Sequence, residues 1–323
     1  MISQSVEIFL QKKMKTRGVL FFSLLVIFGM VLSSCGGAGA NHAGSSNALT
    51  IQTGPDGDYT QAFSPFITNP TPGTLGMVYE PLLMFNRLNG TVQPWLASSY
   101  KFSTDAKTLT FTIRQGVKWS NGQAFTANDA AFTFNLLKKY PAADTNNLWH
   151  YLQSVTAPNA STLVLMLKQP YSPILWYAGG QTYMVPQSQW ANVGDPTKYS
   201  NPKPVGTGPF MLDTFAPQLV TYKKNTNYWQ PGKPQVNELR YPAYDSNQSV
   251  ELDLDQGNLD WVGLFTPDVQ KTYVSRDPAH NHYWAPLNSP TVLFMNLTKA
   301  PFNQQAVRQA INGALDREAM STT

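Results

Sequence analysis

Cysteine is almost absent: Cys35 is the only one in 323 residues. No internal disulfide can form, so the fold has to be held together by its core. Charge is scarce as well. Asp, Glu, Lys and Arg make up 13% of the chain, about as much as the 12% of Phe, Trp and Tyr. That balance excludes a charge-driven disordered chain and argues for a core-rich one. The formal charge of +4 is concentrated at the N-terminus, because Lys12, Lys13, Lys15 and Arg17 face a single acid, Glu7, in residues 1–35. The remainder carries 19 basic and 18 acidic residues, and with no basic patch a nucleic-acid partner is not expected. The common catalytic signatures are missing too. There is no Gly-x-Ser-x-Gly elbow, no His-Glu-x-x-His and no glycine-rich phosphate loop. The four histidines are His42, His150, His280 and His282. His280 and His282 could share one face of a strand, but Pro278-Ala279-His280-Asn281-His282 reads as a surface loop. Paired acids occur in Glu251-Leu252-Asp253-Leu254-Asp255, a pattern more simply explained as a solvated helix face. No catalytic residue, no metal and no cofactor is therefore expected, and the chain is not read as an enzyme.

What is present begins with the basic stretch just named. An apolar run from Val19 to Leu32 follows it, and Leu32-Ser33-Ser34-Cys35-Gly36-Gly37 closes it with small residues. This is the three-part layout of an export signal, too short for a comfortable membrane span. Leu-Ser-Ser-Cys also resembles a bacterial lipobox, which implies that Cys35 is acylated and becomes the mature N-terminus. A plain secretory signal or a short anchor remains the alternative. Met14 is a second candidate start, since Met14-Lys15-Thr16-Arg17 makes an ordinary leading segment by itself. Residues 36–47 are Gly, Ala, Ser and Asn with one His and no apolar period, which reads as a flexible tether.

The folded part begins at a short strand, Ala48-Leu49-Thr50-Ile51, followed by a turn at Pro55-Asp56-Gly57-Asp58. Leu109, Phe111 and Ile113 alternate with threonines, predicting a strand with one buried face. Val117-Lys118-Trp119 is expected to resume it before the turn Ser120-Asn121-Gly122. Thr126 is placed to cap a helix, with Asp129 three residues on, and Ala127, Ala130, Ala131, Phe134 and Leu137 form its apolar face. Leu163, Leu165 and Leu167 mark another strand. Asn303 is expected to cap a helix striped by Val307, Ala310, Ile311, Ala314 and Leu315. Strands and helices alternate without a repeat, so the architecture is mixed α/β.

One family matches these residues in order. The series runs through Val78-Tyr79-Glu80-Pro81-Leu82, Gln93-Pro94-Trp95-Leu96-Ala97, Arg114, Gly116-Val117-Lys118-Trp119-Ser120-Asn121-Gly122 and Phe125-Thr126-Ala127-Asn128-Asp129. It continues in Gly206-Thr207-Gly208-Pro209-Phe210, Asn227-Tyr228-Trp229, Gly232-Lys233-Pro234, Gln256-Gly257-Asn258-Leu259-Asp260 and Val307-Arg308-Gln309-Ala310-Ile311. Together these resemble the extracytoplasmic solute-binding proteins of peptide/nickel-type ABC importers, bacterial family 5. Departures are small: Asn121 where Asp is common, Thr226 where Pro is usual, and Asn258 in place of an acid.

The resemblance implies a two-lobed periplasmic-binding-protein type II fold with an inserted subdomain. Residues 48–90 and 200–300 would form lobe I, 91–199 the subdomain, and 301–323 the start of a second lobe. Family chains are much longer, so the resemblance implies a C-terminally truncated chain with most of that lobe missing. The implied function is a lipid-anchored receptor outside the cytoplasm. It would bind a small solute, an oligopeptide first, and deliver it to ABC permease subunits, as a monomer when full length. Nickel chelates, oligosaccharides and opines are the alternative ligands. An exported hydrolase and a sensor or adhesion lipoprotein are the rival classes. The solute contacts implied are Tyr59, Phe63, Trp149, Phe265 and Asn296, although core packing accounts for each ring equally well. Arg114 and Lys118 are expected to pair with carboxylates or helix ends.

Overall fold

The computed structural model describes residues 47–54, 57–263, 268–284 and 292–322, and Cys35 and Phe265 lie outside them. Its strands, in chain order, are β1 (Ala48–Gln52), β2 (Leu83–Phe85), β3 (Val92–Pro94), β4 (Ala97–Phe102), β5 (Thr108–Ile113), β6 (Leu152–Asn159), β7 (Thr162–Leu167), β8 (Phe210–Ala216), β9 (Leu219–Lys224), β10 (Glu238–Pro242) and β11 (Trp261–Val262). The helices are α1 (Ala127–Lys139), α2 (Leu148–Tyr151), α3 (Gln187–Trp190), α4 (Asn247–Asp255), α5 (Val269–Thr272), α6 (Gln305–Ala314) and α7 (Arg317–Thr322).

Two sheets dominate. The first has the order β11-β1-β10-β9-β8, with β1 parallel to both β10 and β11 and the remaining pairs antiparallel. The second, β4-β5-β7-β6, is antiparallel throughout. Its register follows from the alternation: Leu109 faces Leu165 and Phe111 faces Leu163, and all four are buried. A one-residue slip would put the intervening threonines into the core, so the pairing is fixed by which face is apolar. Helix α1 packs on β6 and β7. Thr126 and Asp129 form a reciprocal capping box at its start, with Thr126 N donating to Asp129 Oδ2 at 3.0 Å. The other oxygen, Asp129 Oδ1, accepts from Gln187 N at 3.1 Å, so one acid caps α1 and holds the start of α3. A single continuous core runs from Tyr59 to Tyr241 and includes both sheets.

Three expectations need correction. Val117–Trp119 does not resume the strand. It pairs only across its own turn, through a bridge between Lys118 and Ala124 flanked by Trp119 N to Gln123 O at 2.8 Å and Phe125 N to Val117 O at 3.0 Å. Helix α6 is capped at Gln304, not Asn303, whose own N–H donates to Lys299 O in the preceding turn. Arg114 stacks 4.5 Å from the ring centre of Trp229 and donates from Nε to Trp95 O at 2.7 Å; it makes no ion pair among the described residues.

The glycines of Gly206-Thr207-Gly208 are demanded by a backbone crossing. A Cβ on Gly206 would lie 1.8 Å from Val78 O, and one on Gly208 would lie 2.2 Å from Met77 O. Gly208 N bonds to Val78 O at 2.9 Å, which holds the two segments together. Neither opposing atom is the tip of a flexible side chain, so the clash can be relieved only by moving backbone. We predict that Gly206→Ala lowers the unfolding free energy by at least about 2–3 kcal/mol. Gly194→Ala, which meets nothing within 4 Å, should be near neutral in the same urea titrations.

Candidate functional site

Open α/β sheets take ligands at the carboxyl ends of their parallel strands, because the loops leaving those ends diverge and leave a crevice. Here that edge is formed by the ends of β1, β10 and β11, and one buried side chain ties them. Gln52 donates from Nε2 to Pro242 O at 3.0 Å and accepts at Oε1 from Gly54 N at 2.8 Å. Its backbone carbonyl accepts from Gly263 N at 2.7 Å. The loop after β1 then crosses the edge. Gly57 N bonds to Tyr244 O at 3.0 Å, Tyr59 N to Pro217 O at 2.8 Å, and Tyr59 Oη donates to Pro242 O at 2.9 Å. Pro242 O therefore has two side-chain donors, from Gln52 and from Tyr59. Around them the rings are neutral: burial pushes the Tyr241 phenol up to about 12.

The residues expected to touch a solute are distributed unevenly. Tyr59 and Phe63 share the loop after β1. Tyr59 is only 7% exposed and Phe63 is fully buried, edge-on to Phe215 at 5.8 Å and to Tyr222 at 6.4 Å. Both shape this edge from beneath. Trp149 belongs to α2, beside the four-stranded sheet, and is half-buried. Its indole N–H donates to Phe134 O at 2.8 Å and Lys138 Nζ lies 4.5 Å from its ring centre. Its remaining ring surface is what a solute could meet. Asn296 is exposed in a turn of its own making, with Oδ1 accepting from Thr298 N at 3.0 Å and Thr298 Oγ1 at 2.7 Å. Beside it Phe294 is 90% exposed.

Sequence reasoning missed Gln52, although a polar residue ending an apolar strand was a visible signal. It also missed the pairing of Tyr151 with Tyr171, whose rings stack 3.6 Å apart and nearly parallel. Nothing in the spacing of those two residues announces that contact. His280 is held at 2.9 Å by Asp277 on the surface. Among the described residues no group of three or more His, Cys, Asp or Glu side chains could hold a metal, and no helix is long and apolar enough to cross a membrane. At the strand edge the rings are buried and the Gln52 amide is bonded within the protein, and the exposed ring surface among the expected contacts belongs to Trp149.

Residues 91–323 match the family model described as bacterial extracellular solute-binding proteins, family 5, middle. The chain belongs to that family. The nickel-binding periplasmic protein of Escherichia coli (strain K12) is 31% identical over 76% of this chain and 47% of its own length. The oligopeptide-binding protein OppA of Bacillus subtilis (strain 168) is 27% identical over 92% of this chain and 59% of its own. Among solved structures, the mannohexaose-bound periplasmic oligopeptide-binding protein of Thermotoga maritima superposes with a TM-score of 0.76 and 26% identity, covering 86% of this chain and 53% of that one. NikA of Brucella suis, in complex with Fe(III)-EDTA, gives 0.69 and 27%, covering 85% and 56%. The family 5 chain thus has the mixed α/β fold of the two-lobed periplasmic binding proteins and spans about half the length of the relatives it matches. Members of this family are extracytoplasmic solute-binding receptors that serve ABC importers.

The shared acceptor at Pro242 generates a test. Gln52→Ala and Tyr59→Phe should each cost about 1 kcal/mol, since the other donor still satisfies the carbonyl. The double variant should lose more than the sum, because it leaves a buried carbonyl without either side chain. Urea denaturation of the four proteins measures the coupling, and strict additivity would show that the carbonyl is not shared.

Proposed function

We propose that this chain is a membrane-anchored extracytoplasmic receptor that binds a small solute, an oligopeptide first, and hands it to ABC permease subunits. Family membership over residues 91–323 carries the reading. It is supported by the part-exposed ring of Trp149 and the exposed turn at Asn296. Closure around the solute would present a permease-facing surface, a hinge motion biased by tighter binding to the closed state. The proposed division has residues 48–90 and 200–300 as lobe I and 91–199 as the inserted subdomain. It is in keeping with the sheets, since the five-stranded one draws on 48–52 and 210–262 and the four-stranded one on 97–167. Trp149 and Asn296 are the proposed solute contacts within the described residues. Tyr59 and Phe63, proposed with them from the resemblance, are buried in the loop after β1.

A metal chelate is the second reading, favoured by the 31% identity to a nickel-binding protein. In this reading the metal arrives already held by an organic chelator. Native mass spectrometry of the full-length protein as purified separates the two readings by mass. Bound peptide should raise the melting temperature by mass action, with about 2.7 kcal/mol of stabilisation at a hundredfold excess over Kd. Trp149→Ala should weaken that binding about tenfold, as loss of a central ring does. Steady product formation from a peptide or sugar panel would instead make the protein a hydrolase.

Anchoring is proposed through Cys35, since only a thiol takes a thioether-linked lipid. Cys35→Ser should release the protein from the membrane fraction or leave it unprocessed. Unchanged processing and retention would remove the lipid anchor from the reading.

A further inference from the structure

Glu80 is an acid inside the apolar run Val78-Tyr79-Glu80-Pro81-Leu82-Leu83, and the fold buries it completely. Its donors come from distant parts of the chain. Trp95 Nε1, between β3 and β4, reaches Oε1 at 2.7 Å. Tyr228 Oη, beyond β9, reaches the same oxygen at 3.1 Å, and Trp229 Nε1 reaches Oε2 at 3.2 Å. The Glu80 carbonyl accepts from Met184 N at 3.0 Å. The carboxyl therefore joins the segment leaving the five-stranded sheet to the segment entering the four-stranded one.

No cation answers it. Among the described residues Glu80 takes part in no ion pair, and Arg114 is engaged with the Trp229 ring and Trp95 O. The other titratable group facing it is Tyr228, whose phenol is raised by burial and then by the Glu80 charge, so it stays neutral. The fourth neighbour is Thr207. Its hydroxyl is buried beside the carboxyl yet makes no hydrogen bond of ordinary geometry. The two indoles can only donate, whereas the Tyr228 and Thr207 hydroxyls can also accept. A protonated Glu80 would thus find an acceptor waiting, while an ionised one is a buried charge with neutral partners alone.

We propose that Glu80 is a proton-operated latch between the two sheets, closed firmly when the carboxyl holds a proton shared with a neighbouring hydroxyl and loosened when that proton leaves. Burial pushes the carboxyl from 4.5 up to about 7, opposed by the nearby Thr207 hydroxyl and by the hydrogen bonds from Trp95, Trp229 and Tyr228. The folded chain then retains a proton that the unfolded chain has released. The stability contributed by that proton is complete below pH 4.5 and is lost as pH climbs to about 7.

Urea denaturation of the full chain as a function of pH tests this against Glu80→Gln, which keeps the shape and cannot ionise. The stability of the native protein relative to the variant should fall across that window and level off above it. Tyr228→Phe removes a donor to the anion, so the midpoint of the fall should move to higher pH. Infrared spectroscopy of the unmutated protein provides a reading that does not depend on a variant folding. A protonated-carboxyl C=O band from a buried group should persist at pH 6, between 4.5 and about 7, and vanish well above that range. Parallel stability profiles for the native and Gln proteins would overturn the latch, as would a carboxyl band already gone at ordinary carboxylate pH values.

Discussion

The crossing of Gly206-Thr207-Gly208 over Met77-Val78 is the constraint on which the rest of the structure depends. Two backbones approach so closely there that no Cβ fits on either glycine. The crossing recruits its neighbours in sequence order. Gly206 O accepts from Ser120 N at 2.8 Å, Gly208 O accepts from Asn225 Nδ2 at 2.8 Å, and Asn227 Nδ2 donates to Ser120 O at 3.2 Å. Glu80 follows two residues after Val78 and gathers Trp95, Tyr228 and Trp229. Segments far apart in the chain thus become one joint, and both sheets leave from it.

That joint explains which parts of the fold were legible in sequence. The strands carrying Leu109, Phe111 and Ile113, and then Leu163, Leu165 and Leu167, were readable because alternation directly encodes a buried face. The α1 start was readable because a capping box is local. The errors came where local and longer-range bonding compete. Val117–Trp119 has strand-like residues, but it pairs only with Gln123–Phe125 across its own turn and joins neither large sheet. Asn303 is a good capping residue, but it belongs to the turn bonded back to Lys299 O, and the helix starts after Gln304 with no side-chain cap. Arg114 was expected to pair with a carboxylate or a helix end and instead packs its flat guanidinium on Trp229, a use of arginine that charge counting cannot see.

The site was less legible than the fold, for a physical reason. An aromatic residue near a strand end is equally suited to filling a core and to stacking on a solute. Exposure decides between these roles, and exposure is a property of the whole fold. Phe63 lies between Phe215 and Tyr222 because β8 and β9 bring those rings to it from more than 150 residues away. Trp149 keeps part of its surface because α2 is a single turn at the margin of the four-stranded sheet. Gln52 had the opposite problem. Its role depends on three strand ends meeting, and only one of them lies nearby in sequence.

The distinction also accounts for how far the family informs function. The motif series by which the chain resembles the family includes residues of the joint: Glu80, Trp95, Arg114, the Gly206–Gly208 crossing and Asn227-Tyr228-Trp229. They bond to one another and to backbone. Proteins named for nickel, for glutathione and for oligopeptides all resemble this chain at about 30% identity. Likeness to proteins named for such different solutes speaks to the fold and not to the choice of solute. The exposed run around Phe294 lies outside those bonds, whereas the loop from Tyr59 to Phe66 is tied to Tyr79 through Asn201, which donates to Phe63 O at 3.0 Å and to Tyr79 Oη at 2.7 Å.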